Sequence, residues 1–449
     1  MSSEHWGSLS REEKFEERFK SWMDPEKIDF NTEEARNSFM ERTRIIKESV
    51  ELKTPERIPV CPKVSFFPVR YAGFTIEEVM FDFDKMWKAW LDFHQDFDPD
   101  SLSSPSIVAP GRVLEILDYK HYKWPGHGVA PDVTYQFKQA EYMLDHEYDL
   151  FITDPTRFWI NSYLPRVCGA LQSLHNISPF TDMVELPMTG KFFSSFGDAG
   201  IQDSLEKLVE AGQIALEWMN TVRAVNKEIT ASKGAPVFWG GFSKAPFDTL
   251  GDTLRGTQKI MLDIFRQPEK LIEAMEKLVP INVELGCRSA TDRNTPFVFM
   301  PLHQGSDEFI SDREFAKFYW PTLKKVILGL IDEGLVPLLK VQGNYYNRIE
   351  YLNDPDIPAG KTVWFLQWNE IERAREVLEG KACIAGSIPN SLLKAGTPAQ
   401  MEEYVKGLIN NFGRDGGFIL SSGVSVDDAR PENFKAFMNT GYKHGRMRD

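Results

Sequence analysis

Several things are scarce in this sequence, and each scarcity excludes something. Only four cysteines occur in 449 residues, and Cys61, Cys168, Cys287 and Cys383 form no CxxC pair. A zinc knuckle or redox dithiol motif is therefore not expected, and the four read as reduced, mostly buried thiols. Histidines are few, eight in all, and none stands in an HExxH spacing; His121, His127 and His146 fall in loop-like sequence. No apolar run approaches membrane-spanning length. Met1 to Lys20 is polar and lacks the apolar core of a secretory signal, so a cytoplasmic protein is expected. Positive charge is in deficit: the formal net charge is −14. Such a balance argues against nucleic acid and against anionic membrane surfaces as partners. No GxGxxG follows the first strand candidate, which counts against a doubly wound dinucleotide fold.

What is present is a large apolar and aromatic content, 42% and 12% of residues, enough for a big core and a roomy aromatic pocket. Residues 1–55 read as a charged helical extension. Ser10 caps S-R-E-E-K-F-E-E-R-F, and Thr32 opens a second segment of the same kind. This arm would pack on the main domain or on a second subunit, or be a solvated helical face. Beyond it, residues 56–449 alternate short apolar runs with longer amphipathic ones. Strands are predicted at Pro236–Gly240, Pro296–Leu302, Val336–Val341, Thr362–Leu366, Ala382–Ala385 and Gly417–Leu420. Helices are predicted between them, at Pro268–Cys287, Asp312–Glu333, Asn369–Glu379 and Pro398–Phe412. The repetition predicts a parallel α/β sheet, and its number of units fits a (β/α)8 TIM barrel. Residues 101–200, punctuated by glycine, proline and aromatics, read as long loops over the barrel mouth.

A set of short motifs runs in order through the second half: G-F-S-K-A-P-F from Gly241, P-L-H-Q-G from Pro301, F-Y-W-P from Phe318 and L-L-K-V-Q-G-N from Leu338. G-K-A-C-I-A-G-S-I-P from Gly380, G-G-F-I-L-S-S-G from Gly416 and P-E-N from Pro431 follow. Order and spacing resemble the uroporphyrinogen decarboxylase superfamily from about Pro59 to Gly441, most closely after Gly240. That superfamily holds porphyrin decarboxylases and corrinoid-dependent methyltransferases. The resemblance implies a TIM barrel and, with the arm, a homodimer.

The chain departs from both branches. Against the decarboxylases, R-Y-A-G-F keeps Arg70 but has Phe74 in place of a second arginine. The family tyrosine falls on Asp252, the family serine near Gly305, and a G-H-G near the C-terminus reads S-S-G (Ser421 to Gly423). An early-strand aspartate matches Asp98 or Asp100. Losing a cation, a histidine and a hydroxyl removes charge-assisted hydrogen bonds that a polyanionic substrate needs. Against the zinc-dependent methyltransferases, the H-x-C position reads K-V-Q (Lys340 to Gln342) and the C-terminal cysteine position falls near Val424. These are not zinc ligands, so no zinc is expected.

The reading left with fewest contradictions is a methyltransferase of the methyltransferase I type. It would move a methyl group from a small methylated donor, an aryl methyl ether first, to cobalamin on a corrinoid partner protein (O-demethylation). Such an enzyme must position the methyl group and stabilise the leaving oxygen. His303 is the candidate general acid, Lys340 a group for a developing phenolate, and Asp252 a carboxyl acid; each has a structural alternative as a hydrogen-bonded histidine, a salt-bridged lysine and a helix-dipole aspartate. Arg70, Tyr71, Trp239, Phe242, Gln342, Asn344, Tyr345, Tyr346 and Trp368 are candidate substrate contacts. A tetrapyrrole-pathway decarboxylase and a non-catalytic tetrapyrrole- or partner-binding barrel stay open as alternatives, as does the choice between carrier-bound and free cobalamin.

Overall fold

The computed structural model describes residues 3–446 except position 424. Its centre is a six-stranded all-parallel sheet: β1 (Gly241–Phe242), β2 (Phe297–Leu302), β3 (Val336–Val341), β4 (Val363–Phe365), β5 (Cys383–Ile388) and β6 (Phe418–Ser422), hydrogen-bonded in that order. Register is continuous, from Phe297 opposite Val336 to Leu302 opposite Val341, and from Ile384 opposite Phe418 to Ile388 opposite Ser422. Helices Pro268–Asp292, Trp320–Asp332, Ile371–Leu378 and Pro398–Phe412 connect successive strands. Five of the six predicted strands are present within a few residues. The first is displaced: Pro236–Gly240 precedes β1 and is held to the preceding segment by Leu102 N–H donating to the Pro236 carbonyl (2.8 Å).

The sheet has two apolar faces, as strands covered on both sides require. Val298, Met300, Leu302, Leu339, Val341, Trp364, Ile384 and Leu420 pack outward against the helices. Alternate residues, Phe297, Val336, Leu338, Val363, Phe365, Cys383 and Ile419, form a second cluster on the other face. The N-terminal arm closes one end of that cluster. Its helices α1 (Arg11–Trp22) and α2 (Glu33–Val50) bring Phe15, Phe19, Trp22, Ile46 and Val50 into it. Burying a side chain of this size contributes about 1.5–3 kcal/mol. The predicted caps are present: Ser10 forms a capping box with Glu13, and Thr32 accepts from Ala35 N–H. Ion pairs from Arg11 to Asp332 and Lys14 to Glu333 fix the arm to the sheet's helices.

An eight-stranded closed barrel is not formed among the described residues. Segments near 60 and 100 stand where two further strands would lie, but they pair with their neighbours only through short bridges, such as Leu420 N–H donating to the Pro59 carbonyl and Cys61 N–H to the Leu420 carbonyl (2.9 Å each). Val60 bridges Leu420 and Val64 bridges Val426 in parallel, and Asp100 N–H donates to the Val60 carbonyl (3.0 Å). Pro59, Pro62 and Pro105 have no N–H to give, and prolines interrupt ladders for that reason. Asp100 is buried in an ion pair with Arg57 (2.6 Å) and approaches Arg42 (3.3 Å), tying the first segment to α2. All four cysteines are free thiols, and three are buried. No described helix is long and apolar enough to cross a membrane.

Candidate functional site

The chain after β1 enters a short turn at Pro246–Asp248 and then a π-helical turn over Thr249–Leu254. Such turns are frequent at functional sites, because the extra residue re-aims side chains. Here Asp248 and Asp252 both face the end of β2, where His303 and Gln304 follow Leu302. Asp248 is fully buried and accepts from the backbone N–H groups of His303 and Gln304 (3.0 Å each) and from the Tyr319 hydroxyl (2.8 Å). It fixes the loop backbone. Burial, reinforced by the neighbouring Asp252 charge, pushes its carboxyl up to about 6.

Asp252 is the hub. Its Oδ2 accepts from His303 Nδ1 (2.5 Å) and from Lys244 Nζ (2.9 Å), and its Oδ1 accepts from Gln304 Nε2 (2.8 Å). A carboxylate only accepts, so Nδ1 carries a proton and Nε2 is the remaining ring nitrogen. Burial alone would raise the Asp252 carboxyl. The His303 hydrogen bond and the Lys244 and His303 charges outweigh it, and the carboxyl sits below its usual range. Burial alone would likewise lower His303. The Asp252 hydrogen bond and the two carboxylate charges reverse that, so the imidazolium persists above its ordinary range. A Cβ at Gly251 would collide with the Gln304 amide, so glycine is needed there for Gln304 to reach Asp252.

These groups line a cleft of about 340 Å³, within the size range of small-molecule sites. Its other walls are His121, Tyr122, Phe137, Thr257, Phe309 and Gln342. The predicted loop region 101–200 thus supplies one wall. His121 Nε2 donates to the Asp252 carbonyl (2.8 Å), and burial pushes the His121 imidazole down.

Of the residues singled out from sequence, His303, Asp252 and Gln342 meet in this cleft. Trp239 and Phe242 line a separate cavity of about 320 Å³ beside Lys63. Lys340 lies on the inner sheet face, 3% exposed, with Nζ donating to the Gly423 carbonyl (3.0 Å). Arg70 pairs with Asp132, and the Tyr71 hydroxyl donates to Asp96 (2.6 Å) while its ring packs on Phe97. Asn344 N–H donates to Glu308 (3.1 Å) and its side-chain oxygen accepts from Tyr346 N–H (3.1 Å), so it shapes the loop after β3. Tyr345 is fully buried, its N–H donating to Glu370. Tyr346 and Trp368 are exposed, with Arg373 over the Tyr346 ring (4.4 Å). Position 424, the expected place of a zinc-family cysteine, lies outside the described residues. No group of three or more His, Cys, Asp or Glu able to hold a metal occurs among the described residues.

Lys244, Asp248, Gln304 and Lys63 were not among the sequence candidates. Asp248 and Asp252 stand four apart after A-P-F, and His303 and Gln304 are adjacent in P-L-H-Q-G. That pairing of a carboxylate repeat with a polar strand end was the readable signal.

Residues 200–444, more than half of the chain, match the family described as uroporphyrinogen decarboxylase (URO-D). A curated uroporphyrinogen decarboxylase from Erwinia tasmaniensis is 21% identical over 239 residues, covering 51% of this chain and 64% of the relative. The match therefore spans less than two thirds of that relative's length. A solved structure described as a methyltransferase from Methanosarcina mazei superposes with a TM-score of 0.59 at 12% identity, covering 90% of this chain and 98% of that one. At that identity the likeness is one of fold. On the family match, this chain belongs to the uroporphyrinogen decarboxylase (URO-D) family.

Proposed function

We propose that the protein is a corrinoid-dependent methyltransferase that removes the methyl group of a small donor, an aryl methyl ether first, and passes it to the cobalamin of a partner corrinoid protein. The observation that carries this reading is the His303–Asp252 pair at an open cleft: a proton donor whose charged form is held above its ordinary range. We read the six strands with the contacts at Val60, Asp100 and Pro236 as an incompletely laddered eight-unit barrel. On that reading His303, Gln342 and Trp368 share its C-terminal mouth, where such folds place chemistry.

The residues assign themselves simple tasks. The ether oxygen accepts a hydrogen bond from His303 Nε2–H. As the CH3–O bond breaks, its electron pair stays on oxygen, the Nε2 proton moves to that oxygen, and a phenol leaves. Asp252 keeps the ring oriented and steadies the imidazolium until the proton is given up. Lys244 and Gln304 hold Asp252 in turn. Tyr122, Phe137 and Phe309 offer flat walls to an aryl ring. The reduced corrinoid supplies the nucleophile that accepts the methyl group. Exposed rings at the strand ends, Phe242, Tyr346 and Trp368, are those a planar macrocycle could meet. The scheme asks no zinc of this chain, because an aryloxide is an adequate leaving group once protonated.

Porphyrin decarboxylation is supported less well. Asp100 is fully buried and taken up by Arg57 and Arg42, and Asp98 is paired with Arg42 through one of its oxygens, so Asp100 is not free for a pyrrole N–H.

The test mixes purified protein with reduced corrinoid, free and carrier-bound, and a panel of methoxyarenes. The expected outcome is a protein- and donor-dependent change in corrinoid absorbance with release of the matching phenol. No change with either form of corrinoid would overturn the proposal and favour a binding protein without turnover.

A further inference from the structure

The second cavity has a composition unlike the rest of the molecule. The chain carries 66 acidic residues against 52 basic ones, yet no aspartate or glutamate lines this space of about 320 Å³. Two cations do: Lys63, from the segment beside β6, and Arg293, from the turn before β2. Neither makes an ion pair among the described residues, although the Asp292 charge acts on Arg293. The Lys63 ammonium lies over the rings of Trp239 (4.9 Å) and Phe299 (4.8 Å), and among the described residues it makes no ion pair or hydrogen bond. The Arg293 guanidinium has none either. The indole N–H groups of Trp218 and Trp239 are buried without acceptors. Lys63 and Arg293 therefore bring two cationic donors, and Ser103, Ser104 and Ser106 three hydroxyls, to one aromatic-walled space that no carboxylate lines.

Half-buried cations without an ion pair and buried N–H groups without an acceptor are both costly. Cation–π contact with Trp239 and Phe299 offsets only part of this. What is missing is a negative charge, and Trp218, Trp239, Phe242 and Phe299 give the space flat aromatic walls.

We infer that the cavity between Lys63 and Arg293 binds the carboxylate of a small aromatic acid, its ring lying against Trp218, Trp239 and Phe242. A carboxylate accepts only, so its two oxygens can take the ammonium and the guanidinium together. A phosphate would match the charge but leave the ring walls unused, and a neutral aromatic would leave the cations unpaired. The Lys63 ammonium is also the one desolvated enough to gain: burial pushes it down to about 8 in the free protein. The inference goes beyond methyl transfer and is tested without corrinoid or methyl donor, so either can fail alone.

The experiment is calorimetric titration of the full chain with benzoate, benzamide and inorganic phosphate, with tryptophan fluorescence as a second readout. One benzoate per chain is expected, bound at least tenfold tighter than benzamide or phosphate. Lys63→Met should weaken benzoate at least tenfold and leave benzamide unchanged, with the fold checked by circular dichroism. Arg293→Met, whose side chain is half-buried, serves as a second variant should Lys63→Met misfold. Lys244→Met, which alters the other cleft, should keep benzoate affinity. Benzamide or phosphate binding as tightly as benzoate, no saturable benzoate binding, full affinity in Lys63→Met and Arg293→Met, or loss in Lys244→Met would each overturn the assignment.

Discussion

In the cleft around His303, each charged side chain has an opposite charge within hydrogen-bond reach; in the cavity around Lys63, the ammonium faces the rings of Trp239 and Phe299 instead. Both spaces border β1 and β2, at Lys244 and His303 for the first and at Phe242 and Phe299 for the second. Their sizes are similar, so shape does not separate them. Charge management does. A carboxylate that accepts from an imidazole, an ammonium and an amide is nearly saturated, and what such a network can still do is move a proton from Nε2. An ammonium over two rings with no ion pair has its charge free to meet an anion. On the proposed function and the inference above, one sheet carries a proton-transfer site beside an anion-binding one, and substitutions should tell them apart.

The largest expected effect is at His303. His303→Ala should lower methyl transfer about 10²- to 10⁴-fold, the usual worth of general acid catalysis, with benzoate binding and circular dichroism unchanged. Initial rates of phenol release measure it. An unaltered rate would move the chemistry out of this cleft and dissolve the contrast with the Lys63 cavity. Asp252→Asn comes next. Its amide removes the charge that keeps the His303 imidazolium above its ordinary range, so the His303 pKa should fall. Because the acid must be protonated, the alkaline limb of the pH–rate profile should move to lower pH. Each unit of movement costs about tenfold in the protonated fraction above the limb. NMR titration of the His303 ring follows the same change directly, and an unmoved titration would remove Asp252 as its cause.

Much of this architecture was readable in advance because its causes are local. The strand periods at Pro296–Leu302 and Val336–Val341, the capping serine and threonine, and the P-L-H-Q-G turn all declare themselves within a few residues. The barrel closure did not, since the segments near 60 and 100 pair with their neighbours only through short bridges whose extent is set by distant parts of the fold. His303 and Asp252 were each legible as candidates, but not as a pair. Their contact joins residues 51 apart in sequence through a π-helical turn whose register nothing in T-L-G-D-T-L announces. Arg70 was chosen from a motif, and the structure sets it against Asp132, a residue in unreadable loop sequence. Lys63 was passed over for the opposite reason: its importance lies in the acids that fail to reach it, and an absence of partners across a fold leaves no local mark.

Lys340 gives the smallest and most discriminating test, because it was read as a catalytic group and sits on the inner face with the Lys63 region. Burial, with the Lys63 charge adding to it, pushes its ammonium down to about 7 from an ordinary 10.5. A lysine depressed in the folded state binds fewer protons there than in the unfolded chain at every pH between those two values. Stability must then rise with pH through that window, since unfolding takes up a proton that becomes scarcer as pH rises. Lys340→Met removes this linkage. At pH 7 the variant should melt a few degrees higher than the parent, about 1–2 kcal/mol on a chain of this size. The two melting curves should converge as pH approaches 10, where the parent's folded-state lysine is already neutral and the unfolded one is losing its proton. Parallel curves would mean that Lys340 stays charged and compensated, which would return it to the list of groups able to steady a leaving phenolate. A convergent pair with an unchanged methyl-transfer rate would instead join Lys340 to Lys63, as interior cations whose cost the fold carries for something other than proton transfer.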